Sequence, residues 1–507
     1  MAAVQPSRHE ATSAWLQSCI PVALQEQAQL RSDSRAVRKG DVLLAYPGAR
    51  SDGRRFIPAS IEAGASAVLW DDAAPFEWNT GWSVPNRAEH GLKEAAGFIA
   101  AAWYGYPAEQ LRVVGVTGTS GKSSCAWWIA QAMSLLGQRC ALAGTLGMGF
   151  VNQGSTAALH DTGKTTPDAV EIQAGLRGLV EQGAQALAME VSSIGLVEGR
   201  VNGMKFDIAL FTNLSRDHLD YHGSMSAYEA AKVQLFGWPR LAGAVINIDD
   251  ACGARFAAVA AQHAAVVLRY SASAAAHADL RATQITYSHE GMSFVVHGPF
   301  GQRPVTTSLI GAYNVENLLG VLGVLLVAGH DVDAALGALA RLVPAPGRLE
   351  TVKADHPDGP LVLVDYAHKP DALEKVLTAC QPLARARGGR LVLVFGCGGD
   401  RDRGKRPMMG AIAERLADRI VVTSDNPRSE DPLAIIADIT GALDTRSLDI
   451  EPDRQRAITE AITRADRRDV ILIAGKGHET YQEVAGQRLP FSDTDVASAA
   501  LAGAGPC

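Results

Sequence analysis

The sequence predicts an α/β protein of several domains built on parallel sheets, and three observations predict it. A chain of 507 residues is long enough for about three domains, each with its own core, at roughly 100–200 residues per domain. A β-branched run, LRVVGV, leads straight into the glycine-rich turn from Gly118 to Ser123 and then into a helical stretch. The last third repeats one pattern four times: an apolar strand, a charged or glycine-rich loop, a helix. The four runs are LVLVDYAHKP, RLVLVFGCGGD, RIVVTSDNPR and VILIAGKGHE. Strands that alternate with helices pair in parallel, are covered on both faces, and gather their following loops at one sheet edge.

Composition narrows the class. Lys+Arg 47 against Asp+Glu 54 leaves a net charge of −7. That argues against a nucleic acid or an anionic membrane as the main partner, because either needs a basic footprint. The 47% hydrophobic and 20% charged shares are those of a globular chain, not a disordered one. The start, MAAVQPSRHE, lacks an apolar core, so no secretory signal is expected. The apolar run from Leu318 to Gly329 covers about half a bilayer and reads as a buried helix. Seven scattered cysteines with no CxxC pair predict reduced thiols and a cytoplasmic location.

Residues 1–108 form a first block, with turns at Tyr46-Pro-Gly48 and Ser51-Asp-Gly53 and a closing helix in EHGLKEAAGFIAAAWYG. The second block, 109–346, opens on LRVVGV; its first helix, KSSCAWWIAQAMSLLG, ends at Gly137. Thr166-Pro167-Asp168 predicts the next helix start, with Thr166 as N-cap and Pro167 at N1, and Gly183 stops it. AQALAMEV, FDIALFT and AGAVINI read as buried strands, and Pro344-Ala-Pro346-Gly347 as the linker into the third block, 347–507.

The chemistry sits in the loops. The Gly118-Thr119-Ser120-Gly121-Lys122-Ser123 turn between strand and helix presents backbone N–H groups to phosphates, with Lys122 as a point charge and Ser123 as a magnesium ligand. Val116 stands where a full GxxxxGK[ST] motif has its first glycine. Glu190, at the tip of a buried strand, suits Mg²⁺ or is a solvated strand-end acid. His218, in TNLSRDHLDYHG, is either a metal-reaching side chain or part of a capping turn before the helix at Ser226. Lys232, on a mostly apolar helix, reads by periodicity alone as a snorkelling lysine. In the third block the loops at Arg401–Arg406, Asp425–Arg428 and Gly475–Glu479 carry both signs of charge to one edge, which suits a zwitterion.

Taken together, TGTSGKSS, TTPD, MEVSS, NLSRDHLDYHG, YEAAK, GAYNVEN, GRLE, VDYAHKPDAL, GCGGDRDRGKRP, DNPR and GKGHE resemble the Mur ligase family over essentially the whole chain. The resemblance implies three domains: one for the UDP end of the substrate, a central P-loop-type ATPase, and a C-terminal Rossmann-like domain for an amino acid. It implies an ATP-dependent amide ligase that joins meso-diaminopimelate to UDP-N-acetylmuramoyl-L-alanyl-D-glutamate through an acyl phosphate. Mg²⁺ and a CO₂-derived lysine carbamate assist, and the enzyme is a monomer inserted in no membrane. The residues it implies for ATP are Gly118 to Ser124, Asn317, Arg348 and Asp365. For catalysis and metal they are Lys122, Ser123, Glu190, His218 and a carbamylated Lys232. For the UDP substrate they are Ser34, Ala49, Arg50, Ser51, Thr165, Thr166, Ser192 and Arg200. For diaminopimelate they are Arg401, Asp425, Asn426, Pro427, Arg428, Gly475 and Glu479, with Arg428 selecting the second carboxylate that lysine lacks. Lys164, Ile194, Glu198 and Lys369 depart from the family pattern, Glu198 most consequentially. The alternatives are a lysine-adding member, a related ligase such as folylpolyglutamate synthetase, and a nucleotide-binding module that makes no amide bond.

Overall fold

The computed structural model describes residues 7–48, 51–151, 159–273, 277–288, 291–352, 359–441, 443 and 448–503. The chain divides into two compact units, one taking in Met1–Val151, Ala157–Tyr270 and Gly323–His330, the other Ser271–Leu322 and Asp331–Cys507.

Within the first unit, four short parallel strands pair in chain order: Leu30–Arg31, Val42–Ala45, Ala67–Asp71 and Asn86–Glu89. The helix predicted in EHGLKEAAGFIAAAWYG forms over Leu92–Trp103 and buries its alanine-rich face with Leu92 and Ile99 against this sheet. A larger parallel sheet follows: β1 (Arg112–Thr117), β2 (Cys140–Gly144), β3 (Ala186–Glu190), β4 (Ile208–Phe211), β5 (Gly243–Asn247) and β6 (Val266–Ser271). Their spatial order is β6-β5-β4-β1-β3-β2. Strand order reverses beside β1, so the loop that follows β1 opens at a crevice, where α/β sheets bind ligands.

Helix α1 (Lys122–Leu135) starts directly after that loop and packs on β2 and β3. It is buried on all sides, Trp127 and Trp128 included, which is why its sequence shows no polar stripe. Helix α2 (Ala169–Glu181) begins later than predicted. Asp168, not Thr166, is its N-cap and accepts from Val170 N–H. Thr166 instead donates to the Glu190 carbonyl at 3.0 Å and bonds Ser192 at 2.9 Å, which ties the segment before α2 to the segment after β3. Helix α3 (Met225–Val233) is capped by Ser224 and carries Lys232 near its C-terminus. The apolar run from Leu318 falls in helix α4 (Tyr313–Val327). Among the described residues no helix is long and apolar enough to cross a membrane.

In the second unit the fourfold pattern forms as predicted: β7 (Leu361–Asp365), β8 (Leu391–Phe395), β9 (Arg419–Val422) and, after a further strand β10 (Leu448–Ile450), β11 (Val470–Ala474). The parallel order is β7-β11-β8-β9-β10. Alternate residues face two separate cores. Leu363, Leu393, Phe395 and Leu472 meet α5 (Pro370–Arg387), α6 (Lys405–Leu416) and α7 (Pro432–Thr440). Val364, Val394, Val421 and Ile473 meet α8 (Arg454–Thr463) and α9 (Asp493–Gly503). Burial on both faces explains the unbroken Val/Leu/Ile runs. Residues 280–307 form three antiparallel strands, and a hairpin, Tyr481–Val484 with Gln487–Pro490, lies beside Arg428 through a backbone bridge at Val484.

Candidate active site

The Gly118 loop is shaped by close approach. Gly118 has φ +153°, and a Cβ there would lie 1.9 Å from Thr212 Oγ1. Gly121 caps α1 at φ +86°. The loop is braced from the side by the segment after β4: Thr119 N–H donates to the Asn213 carbonyl at 2.8 Å, and Ser120 N–H to Asn213 Oδ1 at 2.9 Å. Lys122 Nζ folds back over the loop onto the carbonyls of Gly118 (2.8 Å) and Thr119 (3.0 Å). A helix N-terminus, a lysine and a preorganised turn thus converge where phosphates bind.

Beside it, Ser123 Oγ donates to Glu190 Oε2 at 3.0 Å, and Thr145 N–H donates to Glu190 Oε1 at 2.8 Å. Glu190 is buried at the tip of β3, and Gly144 leaves it room, since a Cβ there would sit 2.3 Å from its carboxylate. Among the described residues no three His, Cys, Asp or Glu side chains converge on a metal position. A hydroxyl beside one buried carboxylate still fits Mg²⁺, which is commonly held by one or two carboxylates plus substrate phosphates.

Lys232 is only 1% exposed. Its Nζ donates to the Gly118 carbonyl at 2.7 Å and lies 4.6 Å from the centre of the Tyr228 ring. Burial, with the Lys122 ammonium nearby, holds its pKa well below the usual lysine range. With its ammonium end buried on a backbone carbonyl, this is no snorkelling side chain. Tyr228 also bonds Thr119 Oγ1 at 3.1 Å and meets the His218 ring edge-on, so it links α3, the loop and the 213–222 segment. His218 stands at φ +52° with Nε2 3.6 Å from Asp217 and its side chain 43% exposed.

Among the residues expected at the UDP substrate, Thr165 Oγ1 accepts from Thr145, and Ser192 caps a short helix, Ser193–Val197, which contains Ile194. Arg200 is engaged: it donates to the Thr166 carbonyl at 3.1 Å and, through Nε and Nη2, to Glu198 Oε2. The departure at Glu198 therefore places a carboxylate on the very guanidinium expected to face substrate. Ser34 begins a 3₁₀ turn capped by Asp33, and Ser51 is exposed next to a turn closed by Gly48. Ala49 and Arg50 lie outside the described residues.

In the second unit, the loops after β7, β8, β9 and β11 meet as predicted. Gly475 N–H donates to the Asp365 carbonyl, Gly399 N–H to the Asn426 carbonyl, and Lys405 Nζ to the His368 carbonyl. Asp365 accepts from Leu349 N–H and Ala367 N–H, both at 2.8 Å, and fixes the turn that carries Arg348 over the Tyr366 ring. Burial pushes the Asp365 carboxyl upward. Asn317, on α4, donates to Asn314 Oδ1. Asp425 is 6% exposed, and no donor among the described residues bonds its carboxylate. Arg428 adopts φ +53°, held by Arg428 N–H to the Glu483 carbonyl and Ala485 N–H to the Arg428 carbonyl. Its side chain bonds the Gly399 carbonyl at 2.8 Å and Glu483 at 3.2 Å. Arg401 is exposed at the rim, and Pro427 links the Asn and Arg of the loop. Under the site, Arg454 and Asp493 form a fully buried pair, and Arg454 also binds the carbonyls of Ser424 and Ala474, the residues just before Asp425 and Gly475.

Sequence reasoning passed over Thr145, Tyr228, Glu483 and Lys476. Lys476 alone had a visible signal, a lysine between two glycines at the end of an apolar strand.

A glycine-rich loop with two lysines, of which Lys232 is buried, in one unit, and a mixed-charge sheet edge in the other, agree with what is found in known proteins. Residues 28–97 match the Mur ligase family catalytic domain, 116–325 the Mur ligase middle domain, and 347–477 the Mur ligase glutamate ligase domain. The chain belongs to the Mur ligase family. It is 51% identical to the UDP-N-acetylmuramoyl-L-alanyl-D-glutamate–2,6-diaminopimelate ligase of Ralstonia nicotianae, over 97% of this chain and 95% of that one. It is 50% identical to the protein of the same name from Chromobacterium violaceum, over 93% and 94%. A solved structure of a ligase of that name superposes with a TM-score of 0.67 at 36% identity, covering 93% of this chain and 94% of the other. The MurF ligase of Acinetobacter baumannii, 18% identical with a TM-score of 0.62, shares the fold.

Proposed function

We propose that this chain is an ATP-dependent ligase that joins meso-diaminopimelate to the D-glutamyl carboxylate side of UDP-N-acetylmuramoyl-L-alanyl-D-glutamate. The observation that carries the reading is the β9/β11 edge, where Asp425 and Glu479 supply acceptors for an ammonium and Arg428 and Arg401 supply donors for carboxylates. The name shared by relatives about half identical over nearly the full chain supports it.

A carboxylate at neutral pH is a poor electrophile, so it must first gain a leaving group. Its oxygen attacks the γ-phosphorus of ATP, ADP leaves, and the acyl phosphate is attacked by the amine of diaminopimelate. The tetrahedral adduct expels phosphate, and the amine gives up its proton. Phosphoryl transfer is mainly positioning and charge neutralisation. The amides of the Gly118 loop and Lys122 do both from one side, while Thr119 and Asn213 keep the loop rigid. Ser123 and Glu190 would hold Mg²⁺ together with phosphate oxygens, and His218 and carbamylated Lys232 would support a second ion. When bound, the metal offsets the charge on the phosphoryl oxygens. As the free amine, which burial favours, Nζ of Lys232 would add to the carbon of CO₂; loss of one proton leaves a carbamate anion whose remaining N–H can still donate to Gly118.

Residues 1–108 serve the UDP end through Ser34, Ala49, Arg50 and Ser51. Residues 109–346 serve ATP and the dipeptide through Thr165, Thr166, Ser192 and Arg200, with Asn317 against the base. Residues 347–507 serve the amino acid, with Arg348 and Asp365 toward the nucleotide. The enzyme acts as a monomer in the cytoplasm, where ATP is supplied.

The test is a coupled ADP-release assay with UDP-N-acetylmuramoyl-L-alanyl-D-glutamate and a panel of amino acids. Turnover should need both the UDP substrate and meso-diaminopimelate. Arg428→Ala should narrow the preference over lysine by about 2–3 kcal/mol, because a site built for a carboxylate rejects the analogue without it. ATP turnover without any amine, or preferential use of lysine, sinks the reading.

A further inference from the structure

Lys476 is fully buried, although it sits in a loop at the edge of the β9/β11 site. Its neighbours explain the burial. Gly475 has φ +120°, and a Cβ there would lie 2.5 Å from Asp425 Oδ2; at Gly477, φ +54°, a Cβ would lie 2.8 Å from the Tyr366 side chain. Neither flanking position has room for a side chain, so Lys476 alone fills the interior between them. Its Nζ donates to Asn426 Oδ1 at 3.0 Å and to Glu479 Oε2 at 3.0 Å, and lies 5.6 Å from the centre of the Tyr481 ring.

An ammonium can only donate. Asn426 Oδ1 receives Lys476 and also Glu483 N–H at 2.9 Å, so the amide of Asn426 has one permitted orientation. Its Nδ2 then points to Glu479 Oε2 at 2.8 Å. Oε2 takes two donors, while Oε1 has none among the described residues.

We propose that Lys476 is a positioning residue of the amino-acid pocket. It locks the Asn426 amide and the Glu479 carboxylate so that Glu479 Oε1 and Asp425 together receive the ammonium of the incoming diamino acid. It also supplies the cation paired with the Glu479 carboxylate at 3.0 Å, which without it would stand uncompensated at the site. This role rests on the assignment of the β9/β11 edge to the amino acid, and it places Lys476 outside the phosphoryl-transfer step.

The test compares the wild type with Lys476→Met, which removes the charge at similar length, and Lys476→Arg, which keeps it in another geometry. For each, KM values for diaminopimelate, ATP and the UDP substrate are measured, with thermal unfolding as a control of folding. The expected result is a KM for diaminopimelate raised at least tenfold in Lys476→Met and less in Lys476→Arg. KM values for ATP and the UDP substrate should stay within twofold. If Lys476→Met does not fold, Lys476→Arg carries the same comparison. A folded variant with an unchanged amine KM, or one in which all three KM values rise together, overturns the proposal. Wild-type enzyme that incorporates another diamino acid overturns the substrate assignment alone, and the comparison is then made with that amine; incorporation of no amine overturns both.

Discussion

Lys232 shows how far a residue's chemistry can depart from its sequence context. On a mostly apolar helix, a lysine reads as a long stem with its charge in water. Here it is buried against Gly118 and Tyr228, next to a second lysine, and its pKa is driven down by desolvation first and by Lys122 second. Both causes favour the neutral amine over the ammonium, and acid works against it. Activity should fall reversibly when CO₂ and bicarbonate are stripped from the buffer and return on adding them. Lys232→Arg should lose about 10²–10³-fold in kcat, the scale of a removed electrostatic contact in a preorganised site. Full activity of either preparation, or no carbamate resonance with ¹³C-labelled CO₂, would count against it. The same scale shows what sequence could deliver for the site. Glycines, loop lysines and strand-tip acids were legible because their types and spacing carry the chemistry. Glu483 was not, and Lys476 showed as a loop lysine without its role, since both roles depend on which way Asn426 and Arg428 turn after the loops meet.

At the scale of elements, β7, its turn and the short strand paired with it carry three ionisable groups, one of which acts on acid stability against the other two. Burial lowers His368 from 6.5 to about 3, while its Nδ1–H donates to the Tyr366 carbonyl at 2.8 Å. In the unfolded chain the imidazole takes a proton near its ordinary value, so between those two values the folded state binds fewer protons. The stabilisation is complete above about pH 6.5 and is lost as pH falls toward 3, at no more than about 1.4 kcal/mol per pH unit. Asp365 and Glu350, both raised by burial, gain protons in the folded state and work the other way. Their presence in both proteins lets a difference isolate the histidine. His368→Gln keeps a donor for the Tyr366 carbonyl, and its stability measured by urea denaturation should decline less steeply than wild type from pH 6 to 4. Parallel curves would exclude the histidine as the source. The strands around this turn were legible because burial on both faces writes continuous Val/Leu/Ile runs. β10, at the sheet edge with Ile450 half exposed, and the hairpin at 481–490, with exposed or half-buried residues, leave no such pattern. The start of α2 was misplaced because Thr166 has the right type for a cap but spends its hydroxyl on β3 and Ser192.

For the whole molecule, the −7 net charge averages over two compact units to which the proposed function gives different ligands. The phosphate loop, the Glu190–Ser123 pair and Lys232 belong to one unit, and the carboxylate–arginine edge to the other. Each cluster is fixed by hydrogen bonds internal to its own unit, so each ligand should leave its mark on its own loops. Binding slows amide exchange by the free energy it adds to the native state, about 2.7 kcal/mol at a ligand concentration 100-fold above Kd. With a non-hydrolysable ATP analogue added first, protection should rise at Thr119–Ser124 and at Asn213. With the UDP substrate and then diaminopimelate added, further protection should appear at Asn426–Arg428 and over 475–484, the segments that Lys476 and Arg428 tie together. Lysine in place of diaminopimelate should protect 475–484 less and leave Arg428 near its unliganded rate, if the proposed pairing of that guanidinium with the second carboxylate holds. Equal protection by both amines would move selectivity away from Arg428, and protection of the Gly118 loop by the amine alone would contradict the division between the units.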